Sequence, residues 1–452
     1  MTRTQRLIVM IMKVSVCLAM LLVMALGTES APAKLVNVKG STKASHGRVV
    51  NVRNFGAVGN GLTDDTAAIQ AAIDAASKTG GGGVVYIPAG HYLISKTLVI
   101  HDTKSLILRG TGSGGFARPY KFNRPRSNGT DLIWTGQAGG TLMELRWSGA
   151  IIIKDLVLDG RDVRHGVHAA QAGILLHMVS RIGGGTMLQH ISNMSFIDAR
   201  VGLQMGGGRH ETAAENDSDV LFDFLTFRSV DVAFKTTQQQ AVDYLFNFVF
   251  GLGCGTVFDI KAGGNLMVNN AQLTSCVLAV NIQGGGKNSG TYLFNNMRCE
   301  AQRRGTTTAN PGRWQLLKAY PSGQALVRFT NFDDCQWYWF EMPSAREKRI
   351  PLCQIGPAAT VVFNTSIFNG PIARLDGTKA SPAVLELHNC NLNYVTPTDA
   401  LAANPYGYFR VIRCRNGVGP IFPNLIKWPA LKTVRLKANR AYVGQTLKKS
   451  GQ

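Results

Sequence analysis

Acidic residues are scarce in this sequence. Its 452 residues hold 27 Asp and Glu against 48 Lys and Arg, a formal charge of +21. So few carboxylates argue against a metal protein built on clustered acids. No cysteine stands in a C-x-x-C pair. Cys17 lies near the N-terminus, and Cys254, Cys276, Cys299, Cys335, Cys353, Cys390 and Cys414 are odd in number, which argues against both a zinc site and a complete disulfide framework. After Leu26 no apolar run approaches the ~20 residues of a membrane span. No helical pattern of ten or more residues recurs between the short strands, which excludes repeated βαβ units. Proline is not raised. Glycine is: 50 residues, about 11% against a usual ~7%. A hydrophobic fraction of 45% supplies a sizeable core and excludes global disorder.

Residues 1–33 read as a secretory signal. Arg3, Arg6 and Lys13 precede the apolar run Val14–Leu26, and small residues follow at Gly27 and at Ala31-Pro32-Ala33. That order is basic start, apolar centre and small-residue cleavage site. A membrane anchor over Leu7–Leu26 is the competing reading, but Lys13 leaves an uninterrupted stretch too short to span. Loss of these three cations lowers the charge from +21 to +18. The expectation is a secreted protein, extracellular, periplasmic or on the cell surface, with no membrane contact after signal cleavage.

A tripeptide of apolar residue, any residue, then Asn or Asp recurs through the middle of the chain. It ends at Asp155, Asn193, Asp223, Asn247, Asn270, Asn295, Asn331, Asn364 and Asn389, and its shortest spacings are 23 to 25 residues. Cysteines keep the same period, as at Cys254, Cys276 and Cys299, which suits buried free thiols placed once per repeat. Between the rungs lie short alternating segments closed by glycine, such as Gly202-Leu-Gln-Met-Gly. Period-two alternation with glycine turns predicts strands. Three strands per repeat of about 24 residues, stacked repeat on repeat, predict an all-β chain folded as a parallel β-helix. The Asn and Asp rungs are then expected to form one ladder at a turn.

One strand of each repeat is expected to send Ile174/Leu176, Leu203/Met205, Val232/Phe234, Phe258/Ile260 and Val280/Ile282 inward. Alternation then puts Leu175/His177, Gln204/Gly206, Ala233/Lys235, Asp259/Lys261 and Asn281/Gln283 outside. Stacked coil on coil, these residues predict a polar stripe long enough to bind a chain of sugars.

The N-terminal segment predicts a helix. Asp65 is the expected N-cap, Ala68, Ile69, Ala72, Ile73 and Ala76 share a face, and Gly80–Gly83 end it. Such a helix covers the open apolar end that a solenoid must close. Three stretches stand out here: Asn54-Phe55-Gly56-Ala57-x-Gly59-x-Gly61-x-x-Asp64-Asp65-Thr66, Ala68-Ile69-Gln70-x-Ala72 and Val85-Tyr86-Ile87-Pro88-x-Gly90-x-Tyr92. They resemble the pectate lyase superfamily of β-helix proteins, which includes polygalacturonases, rhamnogalacturonases, epimerase-like members and viral tailspikes. The resemblance implies a right-handed parallel β-helix with an N-terminal capping α-helix, and an extracellular carbohydrate partner. It leaves activity open, because members hydrolyse, eliminate, epimerise or only bind. Asp64 and Asp65 have a sufficient structural reading as cap and turn residues. The Gly-His-Gly and Arg-Ile-Lys motifs of polygalacturonase-like members are absent.

Candidate chemistry concentrates in the segment Asp159–His168 and in the stripe. A histidine beside a carboxylate can work as general acid or base, which singles out Asp162, His165 and His177. Two carboxylates across a glycosidic bond can drive hydrolysis, and Asp162 with Asp259 is the first such pair. Elimination next to a uronate carboxyl needs a base and nearby cations, a role suited to Lys235, Lys261 and Arg161. Gln204, Asn281 and Gln283 complete the stripe. Arg124 and Trp337 head two basic and aromatic segments fitted to bind charged sugars. The predicted partner is an acidic polysaccharide, with a lyase or hydrolase as the leading expectation and a C5-epimerase or a non-catalytic binder as alternatives. Nucleic acid is a poor primary partner for a secreted chain. No metal set is diagnostic, and a Ca²⁺ requirement stays open. The predicted organisation is a signal at 1–33, a β-helix at 48–400 and a basic extension at 401–452.

Overall fold

The structure is a computed structural model that describes residues 49–414, apart from 79–81, 114–128, 161–171, 181–184, 208–215, 284–289, 301–314, 336–350, 369–371, 393–400 and 404–405. Its strands pair in parallel and stack as coils. A representative coil runs Val242–Phe246, Val249–Leu252 and Thr256–Ile260, and the next runs Gly264–Val268, Ala271–Thr274 and Leu278–Ile282. Each strand pairs with its counterpart one coil on. One strand per coil builds an 11-strand sheet, and the other two merge into a 22-strand sheet. This is the right-handed parallel β-helix anticipated from the repeat and the N-terminal motifs. Strands Leu401–Ala403 and Gly407–Ile412 still pair onto the preceding coil, so the stack runs past the boundary expected at residue 400.

Inward positions repeat at the coil spacing, so like residues stack. Phe222 lies 4.3 Å from Phe246, Phe294 5.0 Å from Phe329, and Phe329 4.7 Å from Phe363, ring centre to ring centre and nearly parallel. These distances match the ~4.8 Å between neighbouring strands, and stacked rings add attraction beyond burial.

The 11-strand sheet departs from simple alternation in one respect. Leu175 and Ala233, expected outside, are buried in the core, while Ile174 and Val232 are only half-buried. The strand pairing steps over residues 175, 202, 233, 257 and 279 in successive coils. Each strand bends there, so two successive side chains turn inward, as in Ala233-Phe234 and Val257-Phe258. The residue after the pair then faces out.

The turn ladder also differs from its expected form. The rungs fall into two adjacent rows, not one. Asn269 donates to Asn247 at 3.1 Å and Asn295 to Asn269 at 3.4 Å. In the second row Asn296 donates to Asn270 at 3.4 Å, Asn331 to Asn296 at 3.0 Å, and the Thr365 hydroxyl to Asn331 at 2.7 Å. Asp155, Asn193, Asn296 and Asn331 sit at positive φ, which Asn and Asp tolerate better than bulkier residues. Phe224 and Phe248 interrupt the second row as a stacked pair 5.1 Å apart.

The cysteine period has a related cause. Cys254, Cys390 and Cys414 thiols donate to backbone carbonyls two residues back and to carbonyls of the preceding coil. Ser148 does the same with its hydroxyl. These groups sit in three different corners of the coil: Cys254 before a strand of the 11-strand sheet, Cys390 between two strands of the 22-strand sheet with Cys414 one coil on, and Ser148 after a strand of the 11-strand sheet. Cys254, Cys276, Cys299, Cys353, Cys390 and Cys414 are free thiols.

The helix Thr66–Ser77 buries Ile69, Ala72, Ile73 and Ala76 over the first coil. Its Gln70 amide bonds both the N–H and the carbonyl of Val99, at 2.8 and 2.9 Å, which covers the open edge of the 11-strand sheet. The cap differs from expectation in detail. Asp65 occupies the N-cap position but turns back to accept N–H groups of Val58 and Gly59, at 2.6 and 3.1 Å. Asp64 receives the Thr66 N–H at 3.0 Å, the Thr66 hydroxyl at 2.5 Å and the Ser95 hydroxyl at 2.6 Å. Partial burial works against the Asp64 charge, but these hydrogen bonds outweigh it and hold the carboxyl below its ordinary range.

Candidate glycan-binding face

The bend in each strand of the 11-strand sheet recurs as a four-residue pattern: two apolar or small residues, one outward polar residue, one inward residue. It reads Leu142-Met143-Glu144-Leu145, Leu175-Leu176-His177-Met178, Ala233-Phe234-Lys235-Thr236, Val257-Phe258-Asp259-Ile260 and Leu316-Leu317-Lys318-Ala319. Strand register then sets the outward residues side by side: Glu144, His177, Gln204, Lys235, Asp259, Asn281, Lys318, Gln354 and Arg374. Eight spacings of ~4.8 Å make this row roughly 38 Å long. The five central positions are those the sequence assigns to the stripe. Glu144, Lys318, Gln354 and Arg374 were missed, although the four-residue pattern marks them.

A second row lies two residues further along each strand. It includes Arg146, Gly206, Thr237, Lys261, Gln283, Tyr320, Gly356 and Asp376, each with its N–H on the preceding coil from Gly206 onward. The expected pairs Asp259/Lys261 and Asn281/Gln283 therefore share one face.

The centre of the face is tightly arranged. Asn281 donates to Asp259 Oδ1 at 2.7 Å, and Lys261 Nζ lies 3.4 Å from the same oxygen. Lys261 also donates to Gln283 at 2.7 Å. Asp259 is 6% exposed, so one edge of its carboxylate is fixed while little of it meets solvent. Lys235 neighbours Asp259 in register, is half-buried, and has no hydrogen bond or ion pair among the described residues.

The N-terminal end is more closed. His177 is 8% exposed. Its Nε2 lies 2.8 Å from the Gly206 carbonyl, and its Nδ1 faces Glu144 Oε1 at 3.7 Å. Gln204 donates to the same carbonyl at 3.0 Å. Arg146 pairs with the other Glu144 oxygen. Gly206 has φ +76°, and a Cβ there would stand 2.7 Å from the Gln238 side chain, so glycine is what lets this carbonyl reach two donors.

Arg161, Asp162 and His165, and also Arg124 and Trp337, lie outside the described residues. Asp159, at the start of the same segment, is buried at 1% exposure. Asp217 is fully buried against the Ser180 hydroxyl, and Asp219 receives the Ser218 hydroxyl at 2.5 Å. No three His, Cys, Asp or Glu side chains gather as a metal-binding set among the described residues. The carboxylates of the outward row, Glu144 and Asp259, are four strand spacings apart, roughly 19 Å. Paired-carboxylate hydrolysis needs at most ~9.5 Å, so these two do not form such a pair.

Comparison with known proteins agrees with this architecture. The chain is 67% identical over 45 residues to mannuronan C5-epimerase AlgE1 of Azotobacter vinelandii, a stretch covering 10% of this chain and 3% of that protein. The same identity and length hold for alginate lyase 7 of that organism, at 10% and 5%. These relatives are thus matched over a small part of their length. The solved structure of DFA-IIIase from Arthrobacter chlorophenolicus A6 superposes with TM-score 0.50 at 13% identity, covering 80% of this chain and 94% of that one, a likeness of fold. The family model described as "Rhamnogalacturonase A/epimerase, pectate lyase-like" matches residues 49–281, just over half of the chain. The chain belongs to this family of polysaccharide-acting, pectate lyase-like β-helix proteins.

Proposed function

We propose that the chain is a secreted enzyme that lays an acidic polysaccharide along the outward face of the 11-strand sheet and removes the C5 proton of a uronate residue. The observation that carries this reading is the juxtaposition of Lys235 and Asp259, one strand spacing apart, with Asp259 steadied by Asn281 and Lys261. Asp259 is the base, using the carboxylate edge away from Asn281. Lys235 faces the sugar carboxyl and stabilises the negative charge that develops there as the C5–H bond breaks. The electron pair left at C5 forms a C4–C5 double bond, the C4–O bond breaks, and the departing oxygen takes a proton from water, while Asp259 returns the C5 proton to solvent. The product is an unsaturated uronide and a new chain end. His177 has neighbours at both ring nitrogens, so it acts as a positioning residue that fixes Glu144 and the Gly206 turn.

Reprotonation of C5 from the opposite face, without loss of the C4 oxygen, gives epimerisation instead. The N-terminal likeness to a mannuronan C5-epimerase supports keeping this second reading. The net basic charge, +21 over the chain, supports an acidic partner, since a cationic surface concentrates polyanions.

The test is incubation of the mature protein with polymannuronate, polygalacturonate and a neutral glucan, with and without Ca²⁺, following ultraviolet absorbance and reducing ends together. The reading expects absorbance to rise with chain ends, or uronate configuration to change without cleavage, on an acidic polymer only. Reducing ends without absorbance would replace it with hydrolysis, and binding without product would leave a non-catalytic glycan-binding protein.

A further inference from the structure

The face has a second centre that the proposed chemistry does not use. Tyr320 is in the second row, after Gln283 and before Gly356 and Asp376. Its ring leans along the helix axis, across the Gly356 coil, to the coil beyond. A Cβ on Gly356 would lie 2.2 Å from the ring's Cδ1 and 2.7 Å from its Cε1, so the ring rests directly on glycine backbone and any larger residue would lift it. The Tyr320 hydroxyl donates to Asp376 Oδ2 at 2.9 Å, and Arg374 Nε donates to Asp376 Oδ1 at 3.0 Å. The ring is therefore fixed at both ends, yet the residue remains 38% exposed. Burial and the Asp376 carboxylate push its phenol up to about 12, which keeps it a neutral donor at ordinary pH. Beside the ring, in the first row, stand Lys318, Gln354 and Arg374. Lys318 is two residues before Tyr320 on one strand, on the same face, and has no partner among the described residues.

We infer that Tyr320, seated on Gly356 and tethered to Asp376, is the floor of a distal subsite for one uronate residue of the polymer, with Lys318 and Arg374 as its carboxylate-binding cations. This inference rests on the reading that the 11-strand face binds an acidic glycan. A flat, immobilised aromatic ring suits the apolar face of a sugar ring, and cations to one side suit its carboxylate. The subsite lies two coils from Asp259 along the same face. It lengthens the bound stretch of polymer and sets the minimum chain length for tight binding.

The experiment measures binding of polymannuronate, a mannuronate disaccharide and a neutral glucan to the full chain and to Tyr320→Ala, Tyr320→Phe and Lys318→Ala. The subsite predicts that Tyr320→Ala weakens polymannuronate binding about tenfold and leaves the disaccharide unchanged. Tyr320→Phe keeps the ring and loses the tether, so it weakens polymer binding only a few-fold. Lys318→Ala, a surface change, weakens the polymer and makes its binding less salt-sensitive. Thermal melts matching the unsubstituted protein confirm that folding is intact. Polymer binding unchanged in both Tyr320→Ala and Lys318→Ala would overturn the subsite and leave the proposed function standing. An unsubstituted protein that binds no acidic polymer, or binds the neutral glucan equally, would overturn both.

Discussion

Two stacks of polar side chains run along this β-helix, and they differ in what their members touch. In the turn ladder like residues bond to one another, Asn269 to Asn247 and Asn331 to Asn296. The same amide serves as donor to one coil and acceptor from the next, so the row satisfies itself. On the 11-strand face the residues are unlike: carboxylate, imidazole, amide, ammonium, carboxylate, amide, ammonium. Asp259 is held on one edge only, while Lys235 and Lys318 have no partner among the described residues. Polar stacking alone therefore does not mark a site. The outward row differs in its chemical variety and in charge that has no partner among the described residues.

The sharpest way to break this contrast is substitution at the centre of the face. Lys235→Met and Asp259→Asn are each expected to lower turnover of an acidic polymer about 10²–10³-fold, the usual cost of losing a group that stabilises developing charge. Thermal stability should change little for Lys235→Met, because that side chain makes no hydrogen bond or ion pair among the described residues. If turnover survives both changes, the chemistry belongs to another part of the chain.

Between the two rows in kind is a polar group of the core. The Tyr292 hydroxyl donates to the Gly263 carbonyl at 3.0 Å, and burial pushes its phenol up to about 12. The folded state thus prefers the neutral phenol. This contribution is intact below the unfolded value of about 10 and is lost as pH rises towards about 12. The loss is on the order of 2–3 kcal/mol. Unfolding curves at stepped alkaline pH should fall more steeply for the native sequence than for Tyr292→Phe.

In the turn ladder the effect moves to stability alone. Asn296→Ala removes two side-chain bonds and leaves Ala at φ 52°. A cost of about 1–3 kcal/mol is expected in denaturant unfolding, with turnover of folded protein unchanged. Asn296→Gly relieves the backbone part and should recover some of that loss. A drop in turnover without a drop in stability would erase the distinction between the rows.

The smallest effect sharpens the face itself. Asn281→Ala removes the amide that holds Asp259 Oδ1 at 2.7 Å, so the base is less well placed. Turnover should fall roughly tenfold or less while polymer binding is kept. Weaker polymer binding with turnover of bound polymer unchanged would mean that Asn281 contacts sugar instead of positioning Asp259.

Much of this was legible in the sequence because strand alternation and coil spacing together fix face and register. Gln204, Lys235, Asp259 and Asn281 were placed by that reasoning. Leu175 and Ala233 were misplaced because alternation assumes a straight strand, and the bend that turns two neighbours inward shows only when the four-residue pattern is aligned from coil to coil. Lys318, Gln354 and Arg374 escaped notice because the long segments 301–314 and 336–350 separate their coils and hide the period. The tether from Tyr320 to Asp376 spans 56 residues, a contact visible only once the coils are stacked.

The most direct test of the central claim is solvent deuterium wash-in. Polymannuronate is incubated with the mature protein in D₂O, and C5 of the recovered uronate residues and the chain ends are read by NMR. The account predicts deuterium at C5 or new C4–C5 unsaturated ends, either one abolished by Lys235→Met. Chain cleavage with C5 fully protonated and no unsaturation would contradict it.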